Sequence, residues 1–215
     1  MKIAFPGVGE LTESRVALAP LALHRGRMRQ RLALFLTSLG VLLLLYVSWQ
    51  YGEIYSAQNR LARAWHQQNA RPRNRLPSDR GDLVRLTIAK ISLDAVIVEG
   101  TSRQWLKLGP GHMRDTALLG SSGNAVVVAH RDTFFRHLDE LREGDEVDLR
   151  RQGELYRFEV TGRRVVEPTD LSALQHSGSA QLTLITCYPT HYLGPAPKRL
   201  VVVARWIATL RTTDD

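Results

Sequence analysis

The chain has 215 residues, enough for one folded domain with extensions or two small domains. At 44% hydrophobic and 23% charged it is neither disordered throughout nor collagen-like, and its single Cys excludes an internal disulfide framework and a cysteine-based zinc site. The net charge of +8 would suit nucleic acid or an anionic membrane, but residues 1–80 hold 12 Lys and Arg against 4 Asp and Glu, whereas residues 81–215 hold 17 of each.

The excess positive charge therefore lies outside the stretch that patterns as a globular domain, and no nucleic-acid partner is expected. Residues 1–31 read as a basic cytoplasmic tail. From Leu32 to Trp49 (LALFLTSLGVLLLLYVSW) 18 residues carry no charge, which gives about 27 Å of helix against the ~30 Å hydrocarbon core of a bilayer. Arg25, Arg27, Arg29 and Arg31 stand before this run, and no Lys or Arg follows until Arg60. The positive-inside rule then predicts a single-pass membrane anchor with the N-terminus in the cytoplasm and everything from residue 50 outside it. A cleaved signal peptide fits less well, because 31 residues precede the run and the Ala62-Arg63-Ala64 triplet lies more than ten residues after it. A buried core helix fits less well still, because the run is apolar on every face. Residues 50–80 are polar and Arg-rich and read as a tether, with a few further helical turns over Glu53–Trp65.

Residues 81–215 form the expected folded domain. Short β-rich runs cover Leu83–Ala89, Ile91–Val98, Ala125–Ala129, Glu146–Leu149, Glu154–Val160, Gln181–Thr186 and Leu200–Ile207, and Gly, Pro, Asn and Asp punctuate them. This spacing predicts an all-β barrel or sandwich. One short helix is expected over Thr133–Arg142, where Phe134, Leu138 and Leu141 share a helical face.

Cys187 ends the strand QLTLIT at the edge of a long loop. Outside the cytoplasm an unpaired Cys is either a buried filler or a reactive group. A cysteine nucleophile needs a basic partner, and His130 has the same strand-end position after AVVVA. Acyl chemistry also needs fixed donors for the oxyanion, and Arg199 opens the last strand. Taken alone, each of these residues has an ordinary structural reading.

Taken together, they resemble the sortase family. Thr183-Leu184-Ile185-Thr186-Cys187 is similar to the TLxTC signature, and Arg199 follows at the family's spacing. Asn124–Phe135 (NAVVVAHRDTFF), preceded by Gly109-Pro110-Gly111-His112, resembles the region around the family's His. Within the family the chain looks most like the proteobacterial class GN sortases, which are typically found beside a single dedicated target protein.

The resemblance implies a closed eight-stranded β-barrel with short helices and a cysteine transpeptidase that cuts an LPxTG-like sorting signal between Thr and Gly. Cys187 would be the nucleophile, His130 the general acid and base, and Arg199 the oxyanion or substrate stabiliser. Thr186 either contacts substrate or serves the barrel. Asp132 either orients His130 or substrate, or caps the short helix. The expected partners are a target protein with the sorting signal, an unassigned amine acceptor and the membrane. No cofactor or metal is expected: Glu167 and Asp170 are close in sequence but too few to hold calcium. Two alternatives remain open at this level, a cysteine acyl hydrolase or protease, and a non-enzymatic membrane-tethered barrel that binds a partner.

Overall fold

A computed structural model describes residues 20–69, 82–192 and 194–211, with side chains from Met28 onward. Most of the basic tail and residues 70–80 of the tether lie outside the described residues. Eight strands occur: β1 Val84–Ile88, β2 Leu93–Glu99, β3 Gly111–His112, β4 Asn124–Val128, β5 Glu146–Arg151, β6 Glu154–Val166, β7 Gln181–Tyr188 and β8 Lys198–Arg211. They close into a barrel in the order β1-β2-β3-β4-β7-β8-β6-β5, and β5 pairs back onto β1. The alternation seen in the sequence drives this closure: Leu86, Ile88, Val127, Leu149, Phe158, Leu182, Leu184, Val202 and Ala204 all point into one core.

The seven expected runs correspond to β1, β2 and β4 to β8. The eighth strand, β3, is only 2 residues long and pairs parallel with β2 at Val98 and Glu99. A strand so short carries no periodicity for the sequence to show. The expected helix over Thr133–Arg142 is replaced by turns and a 3-10 segment at Leu138–Glu140. Phe135, Leu138 and Leu141 are fully buried there, and their spacing of three suits a 3-10 repeat rather than an α-helix. Phe134, expected on the buried face, is only partly buried against the core.

Helix α1 spans Pro20–Asn69, and the chain divides into compact units at Met1–Gln50 and Tyr51–Asp215. In the first unit the side chains from Leu32 to Trp49 stay exposed apart from the half-buried Gly40, and the apolar window has a mean hydropathy of 2.1. Among the described residues this is the one helix long and apolar enough to cross a membrane. The Ser38 hydroxyl donates back to Phe35 O at 2.9 Å, so this polar group within the apolar run has a partner inside the helix.

In the second unit, residues 51–69 are not the solvated tether that their composition suggested. Ala57 and Trp65 are buried against the barrel. Gln58 pairs with the backbone of Val96: its Oε1 accepts from Val96 N at 2.9 Å, and its Nε2 donates to Val96 O at 3.2 Å and to Leu108 O at 2.5 Å. A side-chain amide thus completes the β2 ladder where β3 is too short to reach. Gly109 makes this approach possible, since a Cβ there would meet Gln58 Nε2 at 2.5 Å.

Candidate active site

The pleat of three adjacent strands assembles the site. Ala125, Val127, Leu182, Leu184, Leu200 and Val202 face the core, so the alternate positions face outward. Among these are Val126, Val128, Ile185, Cys187, Arg199 and Val201. Cys187 and Arg199 are direct cross-strand partners in the antiparallel β7–β8 ladder, which sets their Cβ atoms about 5 Å apart. On the other side of β7, Val128 pairs in parallel with Ile185, and Ala129 N donates to Ile185 O at 3.2 Å. Two residues beyond each of these partners stand His130 and Cys187. Arg199 thus lies about one strand spacing (~4.8 Å) from Cys187 at the backbone, and on the other side of β7 His130 follows the end of β4, two residues past its last rung with β7. Cys187, His130 and Arg199 are all half-buried at this rim. The Arg199 guanidinium donates to Lys198 O at 2.9 Å and Ala196 O at 3.4 Å, which holds it to the loop it leaves.

Thr186, one residue away from Cys187, faces the opposite side of the wall. It is fully buried, and its hydroxyl donates to Ala129 O at 2.8 Å. The structure therefore gives it the barrel-serving alternative and points it away from the outer face. Asp132 is exposed at the same rim as His130 and makes no side-chain cap, since no α-helix follows it. Its carbonyl accepts from Arg136 at 3.0 Å.

His112 is buried with both ring nitrogens engaged, Nδ1 with Glu99 at 3.0 Å and Nε2 with Ala117 O at 2.9 Å, which is a structural role. His137 and His191 stand together with ring centroids 5.9 Å apart, and His176 lines a separate cavity.

Two segments wall the outer face. The connection between β6 and β7 lies over the start of β4: Asn124 Nδ2 donates to Ala173 O at 2.9 Å and to Gln175 O at 3.0 Å, and Thr183 Oγ1 donates to Asn124 Oδ1 at 2.7 Å. This cover buries Val126, Thr183 and Val201 while leaving Val128 and Ile185 half-exposed between it and Cys187. The exposed strip is an apolar floor leading to the thiol. A cavity of about 280 Å³, lined by Arg164, Gln175, His176 and Gln181, opens at the far end of β7. Gln181 is six residues from Cys187, about 20 Å at ~3.3 Å per residue, so the cavity is not where the thiol is. The second wall is the β7–β8 loop, Pro189–Pro197. Sequence reasoning gave Asn124 and Thr183 no role of their own, although both lie in the motifs that carry the family resemblance.

Asp170 is held below the ordinary carboxylate range by hydrogen bonds from the Ser172 hydroxyl and N–H. Glu167 reaches Lys198 at 3.4 Å instead of joining it. Among the described residues, no group of three or more His, Cys, Asp or Glu is placed to hold a metal ion.

A half-exposed thiol between an imidazole and a guanidinium, at the rim of a closed β-barrel, is the set of groups that cysteine-based acyl transfer requires. The comparisons with known proteins agree. The family model described as "Sortase domain" matches residues 86–207, and the chain belongs to the sortase family. Sortase D of Bacillus subtilis (strain 168) is 38% identical over 122 residues, covering 56% of this chain and 61% of that protein. Sortase A of Listeria monocytogenes is 27% identical over 135 residues, covering 60% of this chain and 59% of that protein. The chain thus spans about three fifths of the length of these relatives. A Clostridium perfringens sortase D5 transpeptidase structure superposes with a TM-score of 0.64 at 22% identity, covering 71% of this chain and 99% of that one, which supports the fold.

Proposed function

We propose that this chain is a membrane-anchored cysteine transpeptidase that cleaves an LPxTG-like sorting signal between Thr and Gly and passes the target protein to an amine. The observation that supports the reading is the shared rim of β4, β7 and β8, where Cys187 pairs directly with Arg199 and His130 follows the end of the neighbouring strand β4. The Cys187 thiolate attacks the Thr carbonyl, and Arg199 stabilises the oxyanion. His130 as imidazolium protonates the leaving Gly amine, so the C–N bond breaks and a thioester remains. The incoming amine then attacks, gives its proton to His130 and releases the thiolate. The half-exposed floor of Val128 and Ile185 suits an extended peptide with an apolar residue upstream of the cut. The run Leu32–Trp49 supports an inner-membrane anchor, and the arginines before it support a cytoplasmic N-terminus. The class GN likeness adds the expectation of one dedicated target protein.

The test incubates the full chain in detergent with an LPxTG peptide and a labelled amine. Intact-mass spectrometry is expected to show the acyl fragment on Cys187 and a ligated product, both absent in Cys187→Ala. A wild-type chain that cuts the peptide without ever carrying the adduct rules out the covalent route. An adduct released only to water identifies a hydrolase.

A further inference from the structure

We propose that Arg131, the residue after His130, is a positioning residue that latches the β7–β8 loop and so holds Cys187 and Arg199 in register with His130; the inference rests on the catalytic reading above. Its Nη1 donates to Pro189 O at 2.7 Å and its Nη2 donates to Gly194 O. The guanidinium carbon also lies 5.9 Å from the centre of the Tyr192 ring. Pro189 is two residues past Cys187 and Gly194 is five before Arg199, so one side chain from the His130 segment grips both arms of the loop that joins the other two groups.

The described residues of the loop are mostly exposed. His191, Tyr192, Gly194, Pro195 and Pro197 are exposed, and Thr190 is the residue it buries. A second tie runs to the same segment: His191 lies beside Asp139 at 3.9 Å and beside the His137 ring. The β7–β8 ladder ends with the pairs Cys187 with Arg199 and Tyr188 with Lys198. These are the rungs that fray first when the loop is released. A planar guanidinium can bridge two carbonyls and stack on a ring at once, which an ammonium cannot.

The test compares the wild type, Arg131→Ala and Arg131→Lys in the full chain by hydrogen exchange, by the pH profile of Cys187 alkylation with iodoacetamide, and by acylation kinetics. The latch predicts exchange about ten-fold faster or more across 190–198 in both variants, since charge-assisted hydrogen bonds to two carbonyls are lost, with Val126 and Leu184 unchanged. It also predicts an altered alkylation profile and a fall in kcat of about ten-fold or more with a smaller change in KM. Loop exchange within about two-fold of the wild type in Arg131→Ala overturns the latch. Full recovery in Arg131→Lys also overturns it, because charge alone would then suffice. A wild type that never acquires the peptide adduct sinks the catalytic reading. If the loop and the alkylation profile still respond to Arg131→Ala in that case, Arg131 is a structural clamp and the positioning role is overturned with the function.

Discussion

Thr186 and Cys187 are neighbours in the chain and face opposite sides of the barrel wall, so the same signature serves two different ends. Cys187 presents its thiol to the outer face. Thr186 spends its hydroxyl on Ala129 O, the carbonyl immediately before His130. Thr186→Val keeps the shape and removes the donor, leaving a buried carbonyl unpaired at a cost of about 1–3 kcal/mol. The expected outcome is a lower denaturation midpoint together with slower acylation, and Thr186→Ser should restore both. A Val variant as stable and active as the wild type would remove the positioning role from this hydroxyl. That Cys187, His130 and Arg199 gather at strand boundaries was legible in the sequence, because each stands at the edge of an alternating apolar run. The direction of Thr186 was not legible, because it depends on which parity of β7 faces the core, and only the pairing with β4 and β8 fixes that. Arg131 was hidden for a related reason: its partners are backbone carbonyls about sixty residues away, and no side-chain pattern records them.

The long strands were visible as alternating runs, whereas the elements that escaped were those built from polar pairing. Strand β3 is too short to show alternation, and residues 51–69 look solvated until Gln58, Trp65 and Gln68 find partners on the barrel. The β1–β2 hairpin depends on charge as well as burial. Arg85 donates to both carboxylate oxygens of Asp94, at 2.6 and 2.7 Å, and stacks 5.2 Å from the Trp65 ring. The hydrogen bond from Arg85 holds the Asp94 carboxyl below its ordinary value of 3.8. A depressed carboxylate stabilises the fold above its unfolded value and loses that contribution as the pH falls through its lower folded value. Stability should therefore be level from neutral pH down to about 5 for this pair and decline below 3.8, the ordinary value from which Asp94 is lowered. Asp94→Asn should flatten part of that decline in melts taken across the acid range. Because Asp94 is exposed and Arg85 only half-buried, the change should also shrink in high salt. An Asn variant with the wild-type acid slope would show that the pair contributes nothing measurable.

The charge distribution and the docked part of α1 bear on where the independently folding piece begins. The acidic and basic residues of 81–215 balance, so the barrel has no net field to bind polyanions, and the surplus arginines sit in the segments that precede it. Reading domain boundaries from composition alone would start an expression fragment at residue 81. That cut removes Trp65 from Arg85 and Gln58 from Val96, and it leaves the N–H and C=O of Val96 unpaired on the edge of β2. A fragment starting at Tyr51 keeps all of these contacts and matches the compact unit Tyr51–Asp215. Loss of a buried Trp is worth about 2–3 kcal/mol and each unpaired backbone group about 1 kcal/mol or more, so the shorter fragment should melt about 10 °C or more below the longer one. An open strand edge also templates pairing with another chain, so the shorter fragment should associate with rising concentration in sedimentation velocity while the longer one stays monomeric. Replacing Gln58 by Ala in the longer fragment should reproduce part of both effects without removing the helix. Equal melting temperatures for the two fragments would mean that the docked helix adds nothing to the barrel and that the composition-based boundary was the physical one.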